Sequence, residues 1–218
     1  MNDFSEIRDF KLDLKSINAS LLNVPWEQSD DYFALASVGA IVKGWSLVFP
    51  KKRALSFSSM LSDPALTSFV KRIRTIVAAE YGNCWVFEHG SAACGSATGC
   101  GVDYAHLHVV PLSFSLCDAA RAYDRLLKWD TMQLCNVENF VAGREYLLCS
   151  TSDQAVELTT VQVALPATPT SQFFRRVVAS AVGCPNEFDY RKNFRVEACL
   201  AGRAELLRAA AEYPRLSQ

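Results

Sequence analysis

The residues best suited to chemistry in this 218-residue chain are two histidines, His106 and His108, which stand two positions apart. They lie in a run from 104 to 110 that Pro111 closes. If this run is a β-strand, Tyr104 and the two imidazoles line one face, and the apolar residues between them line the other. Such a histidine pair could bind a metal, could act as a nucleophile with its partner, or could have arisen by chance. The spacing alone leaves these three interpretations open.

The segments around this run alternate between strand-like and helix-like patterns. Alternating apolar residues and turn residues predict strands at 32–42 (one strand, or two with a turn at Gly39), 45–49, 84–88, 145–150 and 155–163. Helical spacing and capping residues predict helices at 4–14, 64–81, 118–128, 170–182 and 196–211. The small-residue segment 89–101 is predicted to be a loop. This order predicts an α+β fold with an antiparallel sheet.

The composition is that of an ordinary globular protein, with 50% hydrophobic and 21% charged residues. The formal net charge of −1 argues against a nucleic-acid or membrane-binding surface over the whole protein. The eight cysteines contain no Cys-x-x-Cys pair, and no apolar leader opens the chain. We therefore expect free thiols and a cytoplasmic location. No apolar run reaches membrane-spanning length.

The run 104–111 resembles the signature of the histidine triad (HIT) superfamily, His-φ-His-φ-His-φ-φ, in which φ is hydrophobic. The hydrophobic pair 109–110 and the proline after it anchor the alignment. His108 then takes the third triad position, His106 takes the central one, and Tyr104 replaces the first histidine. Segment 44–51 looks like the family strand Gly-His-x-Leu-Val-φ-Pro-Lys, with Trp45 at the position of the histidine. Further segments resemble the family or its longer bacterial branch: 33–35, 87–90, 99–103, 171–176 and 189–191.

The resemblance implies a HIT-like antiparallel sheet with packed helices and a C-terminal extension of a hairpin and helices. It is strongest over residues 30 to 115. The implied organisation is an N-terminal segment (1–30), a catalytic domain (31–117) and an extension packed on the same core (118–218).

The function that the resemblance implies is hydrolysis at the α-phosphate of a nucleoside phosphate conjugate. In this family the central histidine attacks the phosphate, and a covalent nucleotidyl-histidine forms before water resolves it. His106 is then the nucleophile, because a neutral imidazole is nucleophilic near pH 7. His108 is the phosphate contact, where negative charge develops. Tyr104 supplies a hydroxyl donor in place of an imidazole that could become a cation, so the open alternatives are covalent catalysis with an altered rate or specificity and loss of activity.

Two loop residues and one strand-end histidine are candidate phosphate or leaving-group contacts. Gly99 and Cys100 lie in the small-residue loop, where backbone N–H groups approach phosphate closely, although a plain flexible loop is the competing interpretation. His89 precedes this loop and is either a substrate contact or a histidine bonded to the backbone.

Three residues outside the loop are further candidates for nucleotide binding. Ser37 lies where relatives carry an asparagine that contacts the ribose; a structural strand serine is the alternative. Arg53, in a basic cluster, and Arg175, in the predicted helix 170–182, are candidate phosphate ligands; exposed, solvated side chains are the alternative.

The expected partner is a small nucleotide conjugate, with no nucleic acid, no membrane and no required cofactor or metal. A zinc site built from Cys94, Cys100, His106 and His108 is disfavoured because the spacing matches no standard finger. Two other functions stay open: a nucleotidyltransferase or phosphorylase of the same superfamily, and a non-catalytic nucleotide-binding protein. Relatives commonly pair, so a homodimer is a candidate assembly.

Overall fold

The computed structural model describes residues 21–99, 103–154 and 157–213. The helix predicted at 4–14 and the candidate residue Cys100 lie outside these ranges. The described strands form one antiparallel sheet in the order β1-β2-β3-β5-β4-β7-β8-β6. Their bounds are Glu27–Gln28 (β1), Tyr32–Ala36 (β2), Ser46–Pro50 (β3), Cys84–Gly90 (β4), Leu107–Pro111 (β5), Asp130–Gln133 (β6), Tyr146–Ser150 (β7) and Thr160–Ala164 (β8). The predicted α+β class with an antiparallel sheet is confirmed.

Helices cover both faces of this sheet. Their bounds are Pro64–Tyr81 (α1), Leu116–Tyr123 (α2), Val137–Val141 (α3), Phe173–Ala181 (α4) and Val196–Glu212 (α5). α1, α3 and α5 contribute to the larger core on one face, while α2 and α4 pack on the other. No described helix combines the length and the apolar character needed to cross a bilayer.

α1 shows how closely local sequence determines an element. Asp63 caps it by accepting a hydrogen bond from the Ala65 N–H at 2.9 Å, and Pro64 occupies its first turn. The predicted stripe of apolar residues is buried, and Gly82 ends the helix with φ of 89°. The predicted helix 64–81 is confirmed.

Strand β5 begins three residues later than the histidine run predicts. The N–H of Ala105 donates to the carbonyl of Ala54 at 2.7 Å, so the chain at this point is bonded to a loop and not to β3. His106 therefore immediately precedes the strand. Leu107 and Val109 still face the larger core, as the alternation predicts.

Two helices differ from their predicted bounds. α2 starts at Leu116 because Ser115 caps it, and it ends at Tyr123. α4 starts at Phe173, and its N-cap is Gln172 in the left-handed conformation (φ 59°), not the Thr170–Ser171 pair. The side chain of Gln172 is buried and donates to Asp189 at 3.1 Å, so a long-range contact determines where this helix begins.

The strands of the two predicted segments 31–117 and 118–218 pair directly, because β7 lies beside β4. Sequence patterns did not predict β1, β6 or α3. β6 is mostly exposed and lacks the apolar alternation on which strand prediction depends.

A buried carboxyl group lies on the face that packs against α1. Glu88 in β4 is 0% exposed and accepts hydrogen bonds from the Phe57 N–H at 2.7 Å and the Tyr146 hydroxyl at 2.5 Å. Burial raises the pKa of Glu88 to about 7, against the lowering effect of these two bonds. A Cβ at Gly90 would lie 2.1 Å from the Tyr146 ring, so glycine is needed beside this pair.

Candidate functional site

The three histidines of the chain meet on the sheet face that packs against α2 and α4. The rings of His106 and His108 are 4.8 Å apart between centroids, and the rings of His89 and His108 are 5.6 Å apart. We call this surface the histidine face. Register explains the cluster, because Phe87 pairs with His108 and His89 lies two residues further along β4 on the same side.

His106 has a fixed tautomer. Its Nδ1 lies 2.8 Å from the backbone carbonyl of Tyr104. A carbonyl only accepts, so Nδ1 carries the proton and Nε2 keeps its lone pair in the neutral ring. Burial lowers the pKa of His106; the bond to the Tyr104 carbonyl opposes this effect, and the charge of Arg175 adds to it. The ring stacks on Phe49 with centroids 5.5 Å apart, so the neutral, nucleophilic form is held in one orientation.

His108 has the opposite tautomer. The indole Nε1–H of Trp45 donates to its Nδ1 at 2.9 Å, so the proton of the neutral ring is on Nε2. That Nε2–H has no acceptor among the described residues, and the side chain is 4% exposed. Burial first, and then His106, His89 and Arg175, lower the pKa of His108 well below its ordinary value. The residue therefore presents a neutral N–H donor beside His106.

His89 connects β4 with α4. Its Nε2 accepts a hydrogen bond from the backbone N–H of Phe174 at 3.1 Å, which places the ring proton on Nδ1. Burial, together with the nearby His106 and Arg175, lowers the pKa of His89 to about 3. One ring nitrogen of His89 is therefore bonded to the backbone, as one of the two interpretations of the sequence has it. The buried Nδ1–H has no partner among the described residues.

The hydrogen bond from α4 to His89 predicts a measurable effect on stability. His89→Leu leaves the Phe174 N–H without an acceptor and should lower the free energy of unfolding by about 1–3 kcal/mol. His89→Gln, which retains an acceptor, should lose less than half of that. Urea unfolding of both variants checks the prediction, and equal losses for the two would contradict it.

Arg175 brings a buried positive charge to the histidine face. It is 3% exposed, its Nε donates to the Phe188 carbonyl at 2.7 Å, and its Nη2 donates to the Gly39 carbonyl. Its guanidinium lies 4.9 Å from the centre of the Trp45 ring. The alternative of an exposed, solvated side chain is wrong for Arg175, because α4 packs it inward.

Tyr104 contributes its backbone to the site and its side chain to the scaffold. The carbonyl orients His106, whereas the hydroxyl donates to the carbonyls of Pro50 at 2.8 Å and Lys51 at 3.2 Å. The ring packs edge-on against Phe49. The phenol therefore anchors the end of β3.

Tyr104→Phe removes only this anchor. We expect the free energy of unfolding to fall by about 1 kcal/mol, because one donor to the backbone is lost. Turnover should change by no more than about threefold, because the acceptor for His106 is a backbone group. Urea unfolding and kcat/KM check the two parts, and a loss of activity of about 100-fold or more would contradict the second.

The other predicted binding residues lie in separate surroundings. Ser37 is buried, and its hydroxyl donates to the Val38 carbonyl at 3.3 Å. Arg53 is exposed, and its Nε donates to the Asp103 carbonyl at 3.4 Å. Gly99 is buried, and a Cβ there would lie 1.9 Å from the hydroxyl of Ser91, so that side chain would have to move. No described contact joins these three residues to the imidazoles, and their binding roles stay predictions.

Two residues of the site were not predicted as functional: Trp45 and Phe174. Trp45 is in the family-like strand, but its hydrogen bond to His108 depends on how β3 pairs with β5. Phe174 acts through its backbone N–H, a group that carries no sequence signal. The signal that could have pointed to Trp45 is its place in segment 44–51, at the position of the family histidine.

Comparison with known proteins adds a distant similarity. No protein-family model matches the chain, and no curated protein matches it. Among solved structures, the chain is similar to a Hit-like protein involved in cell-cycle regulation from Bartonella henselae, which was crystallised with an unknown ligand. The two are 21% identical, and the match covers 45% of this chain and 77% of that one, with a TM-score of 0.34. Because this similarity is so weak, function must be inferred from the residues of the chain itself.

Proposed function

We propose that this protein is a HIT-type nucleotide hydrolase that cleaves at the α-phosphate of a nucleoside phosphate conjugate. The observation that carries the proposal is the tautomer of His106. Its Nδ1–H is bonded to the Tyr104 carbonyl at 2.8 Å, which leaves Nε2 with the lone pair that attack on phosphorus requires. The resemblance of the run 104–111 to the triad signature supports the same role.

In the proposed reaction, Nε2 of His106 forms a bond to the α-phosphorus while the bond to the leaving group breaks with its electron pair. The resulting nucleotidyl-imidazolium keeps its Nδ1 proton, and the Tyr104 carbonyl accepts from it throughout. Water then attacks the same phosphorus, the phosphorus–nitrogen bond breaks with its electron pair returning to Nε2, and a proton of the water leaves for solvent, which regenerates neutral His106. No metal or cofactor is part of this scheme.

Charge stabilisation in the scheme comes from groups that are already in place. The Nε2–H of His108 lies on the ring next to His106 and has no acceptor among the described residues, so it is suited to a phosphate oxygen. The guanidinium of Arg175 adds a permanent positive charge that all three histidines experience. Donors held in this way need little reorganisation when charge develops.

A panel of nucleotide conjugates tests the function. Dinucleoside polyphosphates, nucleoside diphosphate sugars and nucleoside phosphoramidates should be incubated with the protein, with and without inorganic phosphate. A nucleoside monophosphate as product supports the hydrolase, whereas a nucleoside diphosphate that forms only with phosphate indicates a phosphorylase. Binding without turnover of any conjugate would indicate a non-catalytic nucleotide-binding protein and would overturn the proposal.

A further inference from the structure

The contact between Trp45 and His108 has properties that a packing contact does not need. Both side chains are buried, at 1% and 4% exposure, and the indole N–H points at Nδ1 from 2.9 Å. Trp85 in β4 is a second buried tryptophan of the same hydrophobic cluster and serves as a comparison. It pairs with Val110 of β5, and its indole N–H has no partner among the described residues.

We propose that Trp45 is a positioning residue that keeps His108 neutral and protonated on Nε2 wherever the protein is folded. The site then takes its positive charge from Arg175 and not from an imidazolium. An imidazolium carries a proton on both nitrogens, and a proton on Nδ1 would face the indole N–H. Two buried donors would then meet without an acceptor, which is unfavourable.

The charges around His108 act in the same direction. The ionisable groups whose fields reach His108 are His106, two residues before it in the chain, His89 on β4 and Arg175 on α4. β3 contributes the uncharged Leu47, which pairs with His108, and the uncharged Trp45 directly precedes β3. No carboxylate is among the groups that shift the pKa of His108, so nothing described there favours an imidazolium.

Arg175 suits the role of the permanent cation. Its guanidinium stays protonated at every pH of interest. It lies 4.9 Å above the Trp45 ring, where a cation draws electron density from the indole and strengthens the N–H as a donor. The same residue thus supplies the charge of the site and reinforces the bond that keeps His108 neutral.

The effect on turnover rests on the proposed function, whereas the protonation state of His108 does not. A phosphate at the site would meet a neutral N–H donor and a fixed cation, neither of which changes near neutral pH. Without the indole N–H, His108 is free to move its proton to Nδ1. The Nε2 atom then carries a lone pair and no longer donates to a phosphate oxygen.

The test is long-range ¹H–¹⁵N spectroscopy of the imidazoles in the full-length ¹⁵N-labelled protein between pH 5.5 and 8.5. In the wild type, His108 should show the Nε2–H tautomer with no titration. In Trp45→Phe, which keeps an aromatic ring but loses the N–H, His108 should populate the Nδ1–H tautomer, while burial and the neighbouring charges still oppose the imidazolium. Trp85→Phe is the matched control and should leave the His108 signals as in the wild type.

Each alternative result overturns the proposal. A wild-type His108 that titrates near pH 6.5, or that carries its proton on Nδ1, would refute it even if Trp45→Phe does not fold. An unchanged His108 in Trp45→Phe, or the same change in Trp85→Phe, would show that packing and not the hydrogen bond matters.

Kinetics supply the second measurement once a substrate is known. Because the Nδ1–H tautomer of His108 cannot donate through Nε2, kcat/KM should be roughly fivefold lower in Trp45→Phe than in the wild type at both pH 6 and pH 8, and unchanged in Trp85→Phe. An equal kcat/KM in Trp45→Phe and the wild type would contradict the inferred role in turnover. If the wild type turns over no conjugate, the proposed function fails, while the spectroscopic result for His108 stands on its own.

Discussion

Replacing His106 by alanine should reduce turnover of a nucleotide conjugate by at least about 10³-fold, because the attacking nitrogen is removed. The variant should fold, since His106 precedes β5 and its ring is only half-buried. Nucleotide affinity should change little by comparison, because His108 and Arg175 remain. Steady-state kinetics and isothermal calorimetry on the same preparations separate the two effects.

The proposed covalent intermediate provides the decisive measurement for His106. A wild-type reaction stopped in alkaline denaturant, where a phosphorus–nitrogen bond survives, should contain a nucleotidyl adduct on His106. Peptide mass spectrometry locates it, and His106→Ala should show none. Cys135→Ala, an exposed substitution away from the histidine face, is the control that should keep both adduct and turnover. Full activity in His106→Ala would refute the mechanism.

Replacing Glu88 by glutamine should make the protein more stable at pH 8 than the wild type and should change stability little at pH 5. The folded-state pKa of Glu88 is about 7, above its ordinary value of 4.5. The folded protein therefore binds more protons than the unfolded chain between these values, and stability falls as pH rises through this window. Across this window the wild type loses roughly 3 kcal/mol of its free energy of unfolding. Glutamine is uncharged at every pH, so the Glu88→Gln variant does not show this loss.

Urea unfolding of Glu88→Gln and the wild type at several pH values measures this difference. Comparison of the two proteins cancels the contribution of the three histidines. Their lowered pKa values act in the opposite direction, because the stability that they confer is lost as pH falls below 6.5. Glu138→Gln, an exposed substitution in α3, is the matched control and should not alter the pH dependence. A stability difference that is the same at pH 5 and pH 8 would contradict the prediction.

The sequence was informative where local chemistry decides the structure. Asp63 and Pro64 start α1 by capping, and the period of two puts His106 and His108 on one face. It was uninformative where a distant residue decides. Gln172 begins α4 because Asp189 holds its side chain, and Trp45 meets His108 because β3 pairs with β5. The backbone carbonyl of Tyr104 orients His106 through local geometry, and a backbone group of this kind carries no signal in the sequence.

The hydrogen bonds that orient the histidine face span much of the chain. Trp45 and His108 are 63 positions apart, His89 and Phe174 are 85 apart, and Gly39 and Arg175 are 136 apart. Contacts of such long sequence separation form late in folding, because the intervening chain must be ordered first. A nascent chain that ends before α4 therefore lacks both the cation and the N–H that orients His89. During synthesis, the competent site would arise only after the ribosome has released most of the protein, in a single late step.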